Sequence, residues 1–204
     1  MSQVVDPNAS LARYVALVEA HNPNLFRLLS VTTERGFVEV TEEALELAIR
    51  RIESGSTHYR DLDERGLSRL LADFLSAAGY HAAAERDNNG HVDVVVEHAF
   101  GGRWKYLGEC KIHRGFQYHV DGCEQLLAYC AGRELRAFCL DFFKQPAMLE
   151  RLSELRKRMD REKPLQQVGP SGDHAMQGAF TTSHPHQNGA PIGILHAGCS
   201  VPQE

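Results

Sequence analysis

The sequence predicts an α/β fold: a mixed central sheet flanked by helices, in the order helix, three strands, helix, strand, behind an N-terminal helical extension. Three observations predict it. Residues 61–78 place apolar side chains on one helical stripe. Three short β-favouring runs follow between residues 80 and 112. A helical stretch then separates them from a fourth apolar run at 137–142. Strands that alternate with helices in this way build a sheet with crossover connections.

Each element has its own signal. Leu11, Val15 and Val18 recur at helical spacing until Asn22-Pro23 breaks the run, and Leu25–Ser30 is a short apolar piece. Thr41 is the expected cap of the next helix, with Glu42 and Glu43 in its first turn and Leu45, Ile49 and Ile52 as its stripe. Ser54-Gly55-Ser56 ends it. The 61–78 helix buries Leu67, Leu70, Leu71, Phe74 and Leu75, and Gly79 stops it. Strands are expected at Tyr80–Arg86, Val92–Glu97 and Trp104–Ile112, joined by turn clusters at 87–90 and 100–103. Gln117–Ala131 reads as a helix closed by Gly132, Ala137–Phe142 as a buried strand, and Pro146–Glu162 as a charged helix. Past Pro164 the composition becomes linker-like, and a hairpin is expected around 180–196. Three regions result: an acidic helical region over 1–56, a core over 57–163, and a linker with a hairpin tail over 164–204.

Composition narrows the function. With 204 residues, 43% hydrophobic and 24% charged, the chain is globular rather than disordered. A net charge of -5 argues against coating nucleic acid by bulk charge. The acidity is local: residues 1–64 hold six arginines, no lysine and eleven acids, and the remainder balances. Self-association, or docking of a basic partner, is therefore expected at the N-terminal helices. No apolar run is long enough to span a membrane, and the N-terminus lacks the features of a secretion signal. Five cysteines without a Cys-x-x-Cys pair read as reduced thiols of a cytoplasmic protein.

The chemistry concentrates in Asp93 and in Glu109-x-Lys111 on the next strand. Residues two apart on a strand share a face, so Glu109 and Lys111 point together and Cys110 points away. A hairpin between the strands can set Asp93 beside Glu109. Two close carboxylates repel unless a cation lies between them, and a hard divalent ion such as Mg²⁺, with Mn²⁺ as a substitute, prefers such oxygens. Lys111 can then orient a water or stabilise charge on a phosphate.

This arrangement resembles the PD-(D/E)xK nuclease superfamily, the restriction-endonuclease-like phosphodiesterases, over roughly half the chain. Val92 stands where the motif has its proline. The resemblance implies a Mg²⁺-dependent endonuclease acting on DNA rather than RNA, in restriction, anti-phage defence or repair. It assigns Asp93, Glu109, the Cys110 carbonyl and Glu64 to metal, and Lys111 and Gln125 to catalysis. Gln125 and Tyr129 match a Gln-x-x-x-Tyr pattern of one branch of the family. His113, Arg114 and Tyr118 follow the motif as weaker phosphate contacts, a solvated loop being their alternative. The rival expectation is a catalytically silent subunit of the same fold that binds nucleic acid or a partner protein. Elsewhere, His184, His186, His196 and Cys199 show no recognisable zinc spacing. Residues 144–163 carry seven basic side chains against four acids, a face suited to a phosphate backbone or to salt bridges.

Overall fold

The structure is a computed structural model that describes residues 7–87, 91–98 and 104–203. The two turn clusters expected at 87–90 and 100–103 lie largely outside those residues. The chain forms helices α1 (Pro7–His21), α2 (Pro23–Leu29), α3 (Glu34–Ser54), α4 (Ser56–Tyr59) and α5 (Glu64–Ala77), then strands β1 (His81–Asp87), β2 (His91–Glu97) and β3 (Lys105–Ile112). Helix α6 (Phe116–Tyr129), strand β4 (Arg136–Phe143), helix α7 (Met148–Glu162), and strands β5 (Gly172–Asp173), β6 (Phe180–Pro185) and β7 (Pro191–Ser200) follow.

One seven-stranded mixed sheet runs β1-β2-β3-β4-β7-β6-β5. Strands β1 to β3 are antiparallel, β3 and β4 are parallel across the α6 crossover, and β4 and β7 are parallel again. The C-terminal hairpin expected near 180–196 forms, and the sheet runs on through it: β7 lies beside β4, with Cys139 opposite His196.

Alternation sorts the side chains. Phe138, Leu140 and Phe142 of β4, Tyr106 and Cys110 of β3, and Leu195 and Ala197 of β7 pack with the stripes of α3 and α5. The other face carries Leu107, Ala137, Cys139, Ile192 and Ile194 under Cys123 and Leu126 of α6, and α7 closes that side with Leu152, Leu155 and Met159.

The helix ends follow local chemistry. Asp63 caps α5 by accepting from Gly66 N at 2.7 Å, and Gly79, at φ +102, carries the chain away. One expectation is corrected. Helix α3 is capped by Thr33, which accepts from Gly36 N at 3.1 Å, not by Thr41. Burial of Phe37, Val38 and Val40 extends the apolar stripe upstream, and Thr41 sits mid-helix with its hydroxyl on the Phe37 carbonyl at 2.6 Å. The piece at 25–30 lies in a short helix capped by Asn22. Helix α3 is integral to the core. Its buried Glu42 accepts from Arg136 on β4 at 2.8 Å and Tyr106 on β3 at 2.8 Å, and lies 3.2 Å from His174.

Candidate active site

The β2–β3 ladder ends at Val94 opposite Gly108, and beyond it the Asp93 side chain takes over. Its Oδ2 accepts the Cys110 N–H at 2.9 Å. A strand residue turns its N–H and C=O to the same side, so the Cys110 carbonyl also faces Asp93. On the α6 face of β3, Glu109 and Lys111 sit together. Lys111 Nζ lies 2.6 Å from Glu109 Oε1, donates to Gln125 Oε1 of α6 at 3.0 Å, and is 3.9 Å from Glu64 Oε1. Glu64, in the first turn of α5, accepts from Ile112 N at 2.7 Å and from the Tyr118 hydroxyl at 3.2 Å. The Arg114 guanidinium is 5.2 Å from the Tyr118 ring centre.

The charges do not balance. Asp93, Glu109 and Glu64 bring three carboxylates to one ammonium, a surplus of two negative charges if all ionise. Lys111 is held in its charged form by Glu109, against the pull of its own burial. The surplus falls on the most buried acid: burial, then the Asp93 charge, pushes Glu109 up to about 7. Asp93 is also raised, by burial first, with the Cys110 N–H working against it. Glu109 Oε2 is buried and has no hydrogen-bond partner.

Helix α6 reaches this group because Gly122 faces it. A Cβ there would stand 3.0 Å from Lys111 Cε and 3.6 Å from Glu109 Cγ. Tyr129 is half-buried at the end of α6, where burial, and then the Glu109 and Asp93 charges, raise its hydroxyl.

The structure thus brings Asp93, Glu109, Lys111, Gln125, Glu64 and Tyr118 together. His113 it places differently: the ring turns inward, 2.6 Å from Asp141 Oδ2 and stacked on Phe143 with centroids 4.4 Å apart. The basic segment 144–163, of which α7 forms the helical part, is engaged with its own neighbours. Arg158 pairs with Glu162 at 3.0 Å, Arg156 with Asp173 at 2.7 Å, and Lys144 donates to the Leu62 carbonyl at 3.0 Å.

Sequence reasoning missed a second polar group under α6. His119 Nδ1 lies 3.0 Å from Asp141 Oδ1 and its Nε2 2.8 Å from His196 Nδ1. Thr182 Oγ1 links His196 to His184, 2.7 Å from each. Cys123 and Cys139 flank the His119 ring at 3.5 and 3.7 Å. The signal available was His119 and Cys123, one helical turn apart. Cys199, grouped by sequence with the C-terminal histidines, faces the opposite core.

No protein-family model, curated protein or solved structure matches the chain. Function has to be read from the site. All five cysteines are free and buried, and among the described residues no helix is long and apolar enough to cross a membrane.

Proposed function

We propose that this protein is a divalent-metal-dependent nuclease of the PD-(D/E)xK type that hydrolyses phosphodiester bonds in DNA. The observation that carries the proposal is the uncompensated carboxylate group around Lys111, with the buried Glu109 Oε2 lacking any partner. Three carboxylates against one ammonium leave room for two positive charges, which is what a hard divalent ion brings. The donors suit Mg²⁺ or Mn²⁺: Asp93, Glu109 and the Cys110 carbonyl would hold it, and Glu64 is a further oxygen donor beside Lys111. Such an ion, when bound, neutralises phosphate charge and acidifies a coordinated water.

The chain's own part is positional. Gln125 and Glu109 hold the Lys111 ammonium from two sides, which fixes a flexible side chain for donation to a phosphate oxygen or an attacking water. Arg114, exposed beside Tyr118, supplies a further cation at the rim. The succession of helix α5, antiparallel β1–β3, crossover α6 and parallel β4 supports the same reading, since it is the order that the resemblance implies. A place in restriction, anti-phage defence or repair belongs to this proposal.

The experiment is cleavage of supercoiled plasmid and single-stranded DNA with Mg²⁺ or Mn²⁺. Wild type is expected to cut, and Asp93→Ala, Glu109→Ala and Lys111→Ala to lose about 10²-fold or more. If the variants cut as fast as wild type, the site is elsewhere. If wild type binds DNA but neither cuts it nor binds Mn²⁺ by calorimetry, the chain is a silent binding subunit.

A further inference from the structure

We infer that His119, Cys123, Cys139 and His196 form a buried Cys₂His₂ site for a structural zinc ion, separate from the carboxylate site. His119, Cys123 and Cys139 offer ligand atoms that all lie within 4.8 Å of one another, the only such group of three found among the described residues. They come from facing elements. His119 and Cys123 are one turn apart on α6, and Cys139 stands opposite His196 in the parallel β4–β7 pair beneath it.

Distances and donor accounting support the assignment. In a tetrahedral site with Zn–N about 2.0 Å and Zn–S about 2.3 Å, nitrogen and sulfur ligands lie roughly 3.5 Å apart. Cys123 Sγ is 3.5 Å from His119 Nε2 and 4.0 Å from His196 Nδ1. Cys139 Sγ is 3.7 Å from His119 Nδ1 and belongs to the same group of ligand atoms within 4.8 Å.

The outer partners set the tautomers. The Leu165 carbonyl can only accept, so His184 donates to it through Nδ1 and accepts the Thr182 hydroxyl proton at Nε2. Thr182 oxygen then accepts from His196 Nε2–H, which leaves His196 Nδ1 as a lone pair facing inward. Asp141 accepts from His119 Nδ1–H, so the other nitrogen of that ring faces the same point, 2.8 Å away. A carboxylate or hydroxyl behind each imidazole is the usual support of a metal-binding histidine.

Charge and chemistry agree. All four residues are essentially fully buried. Two thiolates, two neutral imidazoles and Zn²⁺ sum to zero, and Asp141 keeps its own charge behind the His119 ring, 3.0 Å from Nδ1. Binding releases one proton from each thiol and one from His119 Nε2. Nitrogen and sulfur donors select zinc over the magnesium suited to Asp93 and Glu109. The ion would pin α6, which carries Gln125 and Gly122, to the β4–β7 pair.

The test is metal analysis of the full chain purified without chelators, with Cys123→Ser/Cys139→Ser as the variant and Cys130→Ser and Cys199→Ser as controls. About one zinc per chain is expected in wild type and controls, falling at least about tenfold in the double variant. Wild type refolded with Co²⁺ should show thiolate-to-cobalt charge-transfer absorption, a readout that holds even if the double variant fails to fold. Folded wild type without zinc and without that absorption overturns the inference. A Cys123–Cys139 disulfide found by mass spectrometry overturns it too.

Discussion

Glu109 shares one carboxylate oxygen with Lys111 and leaves the other buried with nothing to bind. The parity of Glu109-x-Lys111 was legible because a strand fixes which face each residue takes. The partner of Asp93 was not: it bonds the Cys110 N–H, a backbone donor that no spacing rule nominates. The raised Glu109 carboxyl makes a pH prediction. A carboxylate normally near 4.5 and held at about 7 binds more protons folded than unfolded, so its contribution to stability falls as pH rises through that window. The ionised form is penalised on the order of 3 kcal/mol, a figure already net of the Lys111 ion pair that Glu109→Gln forfeits. The net gain for Glu109→Gln at pH 8 is then about 3 kcal/mol without metal, shrinking to near zero at pH 4.5. Denaturant titrations of both proteins at the two pH values check this. Parallel stability curves would show that Glu109 is not the strained acid, and Mg²⁺ should narrow the gap at pH 8.

Helix α6 connects both polar groups, and its Gly122 faces the Lys111 side chain. Alanine there would gain about 1 kcal/mol of helix propensity. Its methyl would press on Lys111 Cε at 3.0 Å and Cγ at 3.2 Å, which a flexible lysine relieves by shifting a few tenths of an ångström. The propensity gain therefore wins for stability, while the Lys111–Gln125 contact at 3.0 Å loses alignment. Gly122→Ala should melt no lower than wild type yet cut DNA about tenfold more slowly. Melting and cleavage measured together decide it: a large drop in melting temperature would mean that the helix approach, not the lysine, is what Gly122 protects. Element order was legible from apolar spacing, and element starts less so. Thr33 and Thr41 are both capping residues in sequence, and only the burial of Phe37, Val38 and Val40 selects the first. The cluster of His119, Cys123, Cys139 and His196 was hidden for a related reason. It depends on the β4–β7 register, a pairing of strands nearly fifty residues apart across a linker-like segment.

At the scale of the whole molecule, charge and architecture divide the chain differently. The excess acid of residues 1–64 suggests one N-terminal unit, and its helices pack to different depths. Helix α3 is anchored by Phe37, Leu45, Ile49 and Ile52 in the main core and by Glu42 to Arg136 and Tyr106. Helix α1 instead leaves Leu11, Tyr14, Val15 and Leu17 exposed. The C-terminal hairpin is the opposite case, because β7 lies inside the sheet, between β4 and β6. Removing it would uncover the β4 backbone and the neighbours of Leu195, Ala197 and Cys199 in the main core. Two truncations separate these roles. Deleting residues 1–21 should shift the melting temperature by no more than about 3 °C, since little apolar area is lost. Ending the chain at residue 163 should abolish cooperative unfolding, because several fully buried side chains, at about 1.5–3 kcal/mol each, exceed the stability of an ordinary domain. Circular dichroism melts of the two proteins give the answer. A cooperative transition in the 1–163 fragment would mean that α3, α5 and four strands suffice as a folding unit, with the last three strands laid on afterwards.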